Sequence, residues 1–147
     1  MLSPLLLCTV IAVSDGDTLK ARCHAAHRPS TTIAVRLAEI DAPERGQRFG
    51  QRSRRQLSAL CFRQAVEVRP TVVDRYGRAV AHVRCQGADA STEQVRSGMA
   101  WVFERYTSPS SPLHALQAQA RQHRRGLWVD AQPQAPWEWR RQVSREE

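Results

Sequence analysis

The chain has 147 residues, 41% of them apolar, and 22 Lys and Arg against 14 Asp and Glu give a net charge of +8. That length holds one modest core and excludes two full domains, and the apolar fraction excludes a disordered tail. Lys20 is the only lysine, so the cationic surplus is almost wholly guanidinium, which stays charged and matches phosphate oxygens in pairs. Nucleic acid is favoured as partner over an acidic membrane surface.

Met1 to Ala12 is an apolar run, too short for a bilayer span and broken by Pro4. Residues 1–9 lack the basic front and small-residue cleavage site of a secretory signal. Segment 1–7 therefore reads as a signal remnant or the start of a first strand. Residues 8–23 read as a hairpin about Asp15-Gly16, with Val10, Ala12, Leu19 and Ala21 alternating against Thr9, Ile11, Lys20 and Arg22. Such a turn puts Cys8 opposite Cys23 and leaves Cys61 to pair with Cys85. Four cysteines without a C-x-x-C spacing favour disulfides over metal binding, and export over a cytoplasmic location.

A third strand spans Thr32 to Ile40, with Ile33, Val35 and Leu37 on one face and Arg36 and Ala38 on the other; Pro43 ends it. Gly46 to Phe62 has helical spacing, with Phe49, Ser53, Leu57 and Leu60 on one stripe and Arg48, Arg52, Arg54 and Arg55 off it. Strands follow at Ala65–Arg69 and Arg78–Cys85 around the loop of Asp74, Arg75, Tyr76 and Gly77. Asp89 is placed to cap a short helix closed by Gly98, Trp101 to Phe103 is extended, and a last helix runs from Ser111-Pro112 to Gly126 with Leu113, Leu116 and Ala120 inward. Residues 128–147 show no clear period, and 142–147 read as a polar tail. Five strands, a helix between the third and fourth, and two later helices give an α+β class: a five-stranded OB-type β-barrel with three helices, in one domain over 8–141.

Three segments carry chemistry: Val-Ser-Asp-Gly-Asp-Thr-Leu at 13–19, Arg-Leu-Ala-Glu-Ile-Asp-Ala-Pro-Glu at 36–44 and Asp-Arg-Tyr-Gly-Arg at 74–78. The first two supply hard oxygens for a divalent cation, and the last two supply guanidiniums for phosphate. A phosphodiester is anionic and repels an incoming nucleophile, so a cation and two fixed forks are suited to offset its charge. Each piece also has an ordinary reading. Asp-Gly is a common turn, Arg36–Glu39 an ordinary surface pair, Arg48 to Arg55 a solvated helix face, and the tryptophans a cap on a core edge. Their order within one small domain favours a nuclease.

These segments, with Val-Arg-Ser-Gly-Met-Ala-Trp at 95–101 and Arg-Arg-Gly-Leu-Trp at 124–128, resemble the thermonuclease (staphylococcal-nuclease-like) family from about Val10 to Arg141. The resemblance implies the OB-type barrel and a calcium-dependent endonuclease acting on DNA and RNA with little sequence preference, leaving 3′-phosphate ends. It implies Asp17, Asp41 and the Ala42 carbonyl as Ca2+ ligands, with Ala42 standing where relatives often have Thr. Arg36 and Arg78 would grip the scissile phosphate, and Glu44 would position or deprotonate the attacking water. Arg75, Tyr76 and Tyr106 fall at substrate-contacting positions, although Glu104 stands where a second tyrosine often lies. A monomer with no stable protein partner and no membrane span is expected. Two alternatives are a nucleic-acid-binding OB module without catalysis and a disulfide-stapled interaction domain.

Overall fold

The computed structural model describes residues 4–146; residues 1–3 of the apolar N-terminal segment and Glu147 of the polar tail lie outside the described residues. Its strands are β1 (Leu6–Asp15), β2 (Thr18–His24), β3 (Thr31–Leu37), β4 (Ile40–Asp41), β5 (Ala65–Val73), β6 (Ala79–Cys85), β7 (Ala88–Asp89) and β8 (Trp101–Val102). Its α-helices are α1 (Gly50–Cys61), α2 (Ala90–Arg96), α3 (Leu113–Gln122) and α4 (Pro136–Glu146). The main sheet runs β3-β2-β1-β5-β6-β7, and a parallel pairing of β3 with β6 closes its five long strands into a barrel. β4 and β8 form a separate two-stranded ladder.

The expected α+β barrel is present, with two adjustments at the first hairpin. The turn is one residue later than expected: Asp15 pairs with Thr18, so Gly16-Asp17 form it. Irregularities between Val13 and Asp15 and between Val10 and Ala12 then restore the pairing of Cys8 with Cys23. A bulge reverses the faces of every residue beyond it. Ala12, expected inside, is therefore exposed, and Val13 packs against the core instead.

The third strand stops at Leu37, earlier than Ile40, because Glu39 turns the chain with φ 71° before β4 resumes. β5 runs past Arg69 to Val73, tolerating Pro70 where its register with β6 shifts. Inside lie Val10, Leu19, Val35, Leu37, Ile40, Leu57, Val66, Val68, Val83, Val95 and Val102. Disulfides join Cys8 to Cys23 across β1 and β2 and Cys61 to Cys85 between α1 and β6, and no free cysteine remains.

Asp89 caps α2 by accepting from the Thr92 N–H at 2.9 Å, and Gly98 follows with φ +73°. The larger correction is at the end of the chain. Residues 136–146, expected to lack regular structure, form α4, raising the helix count among the described residues from three to four. Pro136 occupies its first position, where a missing N–H costs nothing. Tryptophan drives its docking: Trp137 stacks on Phe103 at 5.5 Å and meets Trp101 edge-on at 5.5 Å, while Trp101 packs on Trp128 at 4.5 Å. Each such aromatic pair adds about 0.5–1.5 kcal/mol beyond area burial. Within the short window of 136–146, Trp, Glu and Arg side chains mask the helical stripe that leucines would have made plain.

Candidate active site

Asp17 sits in the β1–β2 turn, Arg36 near the end of β3, and Asp41 in β4. Pairing of Thr18 with Arg36 sets the first two side by side, and the short reversal through Glu39 returns Asp41 to the same place. The turn fits tightly. A Cβ on Gly16 would fall 1.7 Å from the Ser53 hydroxyl of α1 and 3.0 Å from the Ala42 Cβ. Behind it, buried Gln94 of α2 donates to the carbonyls of Gly16 at 2.7 Å and Ser53 at 3.0 Å, while the Ser53 hydroxyl donates to the Met99 carbonyl at 2.7 Å. Two helices thereby lock the turn that carries Asp17.

Arg36 bridges the two acids. Its Nη1 is 3.2 Å from Asp17 Oδ2, and its Nη2 donates to Asp41 Oδ1 at 3.3 Å. Nη1 also donates to the carbonyls of Leu37 at 3.1 Å and Ile40 at 2.9 Å, so the backbone itself holds the guanidinium in place. Asp17 accepts from the Ala42 N–H at 2.8 Å and the Thr18 hydroxyl at 2.9 Å. The Asp41 side chain is only 1% exposed. Burial pushes its carboxyl above the usual carboxylate range; the Arg140 hydrogen bond opposes this, Asp17 adds to it, and Arg36 opposes it. Asp15 beside the turn is also raised, first by burial and then by Asp17, against the pull of Arg45, Arg36 and Arg78.

Glu44 lies past Pro43 in a loop stiffened at both ends. Gln47 accepts from the Glu44 N–H at 3.1 Å, and a Cβ on Gly50 would fall 1.8 Å from the Glu44 carbonyl oxygen. Glu44 reaches the acid cluster through Arg140 of α4, whose Nη1 is 2.6 Å from Glu44 Oε1 and whose Nη2 is 2.7 Å from Asp41 Oδ2. Arg140 was not among the residues singled out in the sequence, because the helix carrying it was not legible there.

Asp17, Arg36, Asp41, Ala42 and Glu44 thus come together from three stretches of chain. Arg78 enters just before β6, whose Ala79 pairs with Val35 beside Arg36. Its Nε donates to Asp74 Oδ2 at 2.8 Å, so it is held by its own loop and makes no hydrogen bond to the acid cluster among the described residues. Although partial desolvation pushes the Asp74 carboxyl up, the N–H of Arg78, its guanidinium and the Tyr76 N–H hold it below the usual range. Exposed Tyr76 lies under the guanidiniums of Arg75 at 5.0 Å and Arg78 at 5.4 Å, and Arg75 also donates to its hydroxyl at 2.8 Å. Tyr106 is exposed in a 3₁₀ turn, edge-on to Phe103 at 5.1 Å.

The donors suit a hard divalent cation. Asp17 and Asp41 lie close enough to share Arg36, and burial first, with Asp17 adding to it, raises the proton affinity of Asp41; carboxylates beside a backbone carbonyl are the hard oxygen donors such a cation takes. Among the described residues no group of three His, Cys, Asp or Glu side chains is arranged to hold a metal ion. The expected set contains only two such side chains beside a backbone carbonyl.

The family model described as Staphylococcal nuclease homologue matches residues 34–130, which include Arg36, Asp41, Glu44 and Arg78. A protein named Micrococcal nuclease from Shigella flexneri is 40% identical over 142 residues, covering 90% of this chain and 79% of that one. A Haemophilus influenzae protein named Uncharacterized endonuclease is 42% identical, covering 92% of this chain and 73% of its own. Another so named, from Escherichia coli O157:H7, is 40% identical across 89% of this chain and 82% of its own. With a matched family model over most of the chain and relatives aligned nearly end to end, this protein belongs to the staphylococcal nuclease homologue family.

Proposed function

We propose that this protein is a calcium-dependent nuclease hydrolysing phosphodiester bonds of DNA and RNA with little sequence preference, leaving 3′-phosphate ends. The observation that carries the reading is the convergence of Asp17, Arg36, Asp41 and Glu44 around one rim. Relatives named micrococcal nuclease and endonuclease support it.

Asp17, Asp41 and the Ala42 carbonyl would hold the cation, which supplies charge that offsets the phosphodiester's own. Arg36 keeps its Nε–H free of protein partners among the described residues, and presents it to a non-bridging phosphate oxygen. Arg78 would exchange its Asp74 contact for a second such oxygen. Glu44 uses Oε1 for Arg140 and has Oε2 to accept from the attacking water. The water oxygen bonds to phosphorus, its proton leaves towards Glu44 or solvent, and the P–O5′ bond breaks with protonation of the 5′ oxygen. Arg75 and Tyr76 flank the strand's path, and the basic face of α1 draws it in at low salt.

Two disulfides that consume every cysteine favour secretion or a periplasmic site for this activity. No helix among the described residues is long and apolar enough to cross a membrane. The test is digestion of plasmid DNA and of RNA by the purified chain in Ca2+, in Mg2+ and in chelator, with end analysis of the products. Cleavage in Ca2+ that leaves 3′-phosphates supports the proposal. Intact substrates in excess Ca2+ overturn it.

A further inference from the structure

The cluster at Asp41 and Glu44 is completed from the far end of the chain. Arg140 lies 96 residues beyond Glu44, yet its guanidinium binds both acids at once, Nη1 to Glu44 Oε1 at 2.6 Å and Nη2 to Asp41 Oδ2 at 2.7 Å. A second contact, Nη1 to Asp41 Oδ1 at 3.2 Å, fixes the plane of the fork. Its side chain is 40% exposed, but the Asp41 side chain it holds is 1% exposed. An ordinary surface ion pair has no such buried partner.

The surroundings show how the fork is aimed. Trp137, three residues earlier and so on the same helical face, is seated against Trp101 and Phe103. Trp101 is the ladder partner of Asp41, so the anchor of α4 and the acid it serves share one pair of strands. The Glu44 loop meets the same segment twice more. Gln47, which accepts from the Glu44 N–H, donates to the Gln134 carbonyl at 2.8 Å, and the Trp139 ring lies 3.7 Å from where a Gly46 Cβ would be. Glu44 therefore has one carboxylate oxygen tied directly by Arg140, and its backbone tied to Gln47, which is itself held by Gln134.

We propose that Arg140 is a positioning residue of the nuclease site: it fixes the Glu44 carboxylate against Asp41 so that the second oxygen faces the attacking water, which makes α4 part of the working site. This rests on the nuclease reading above. A group misplaced by about 1 Å costs ~100-fold in rate, which sets the scale.

The test uses full-length R140Q, R140K, E44Q and the double variant E44Q/R140Q, assayed with DNA at saturating Ca2+ beside the wild type. The expected result for R140Q is a kcat lower by roughly 10- to 100-fold with KM for DNA little changed, with R140K, which retains one donor arm, falling between. The double variant should be no slower than E44Q, because Arg140 acts through Glu44. Calorimetry with Ca2+ should find R140Q binding at least as tightly as wild type, since a competing cation has left Asp41. Wild-type rates in R140Q, a multiplicative loss in the double variant, or loss of Ca2+ binding would each overturn the assignment. If R140Q does not fold, R140K decides, with E44Q/R140K as its double variant: full activity in R140K overturns the assignment, and a kcat loss that is absent when E44Q/R140K is compared with E44Q supports it. An inactive wild type removes the nuclease reading and this assignment with it, whereas an active wild type matched by R140Q removes the assignment alone.

Discussion

Replacing Arg36 with methionine keeps most of the side-chain volume and removes one cation from between two acids. The Arg36 side chain is 14% exposed and those of Asp17 and Asp41 are 9% and 1% exposed, so the pair behaves as buried. Breaking a buried pair from one side costs about 3–5 kcal/mol. The lower end applies here, because Asp41 retains Arg140 at 2.7 Å and Asp17 retains the Ala42 N–H at 2.8 Å. A loss of about 3 kcal/mol lowers the melting midpoint of a domain this size by roughly 10 °C. Calcium at about 100 times its Kd adds about 2.7 kcal/mol to a form that binds it only when folded. In Arg36→Met the ion also replaces a missing charge, so its stabilisation should exceed that of the wild type. Urea unfolding followed by tryptophan fluorescence, in chelator and in Ca2+, measures both quantities. Nuclease rate should fall by ~100-fold, the scale for losing one preorganised donor to the transition state. A stability loss below about 1 kcal/mol in chelator, against the 3–5 kcal/mol expected of a broken buried pair, would refute the account of Arg36 as the bridge between the acids.

Two further outcomes test other parts of the molecule. Cys61→Ala with Cys85→Ala opens a disulfide spanning 24 residues and should lower unfolding stability by about 3 kcal/mol in denaturant titration; an unchanged urea midpoint would mean that the link does not constrain the unfolded chain. His82 stands with Nδ1 3.6 Å from Asp89 Oδ1 and Nε2 3.8 Å from Glu39 Oε2, and its contact with Asp89 raises its proton affinity above the ordinary value of 6.5 despite partial burial. Its contribution is therefore complete below that ordinary value and lost as pH rises through the raised one. Melting midpoints should fall between pH 6 and pH 8.5 by more in the wild type than in His82→Gln, and equal slopes would count against the pairing.

Much of the barrel was legible because strand alternation and Asp89's capping role are local properties. Ile33, Val35 and Leu37 mark an inner face wherever the strand ends up, and Asp89 precedes a helix whatever packs on it. The first hairpin was legible only in outline. Bulges near Ile11 and Ser14 depend on how β1 must coil to meet both β2 and β5, a demand that the hairpin sequence alone does not express.

For the site, the sequence determined which groups are available: carboxylates at 17, 41 and 44 and guanidiniums at 36 and 78, with Pro43 fixing the step between two of the acids. The tertiary structure decided which of them meet. It set Arg36 between Asp17 and Asp41, left Arg78 on Asp74, and brought in Arg140 from a helix that only its docked tryptophans reveal. The physical reason is range: turn chemistry, alternation and capping act over a few residues, whereas a contact across 96 residues exists only once the aromatic packing beneath it has formed.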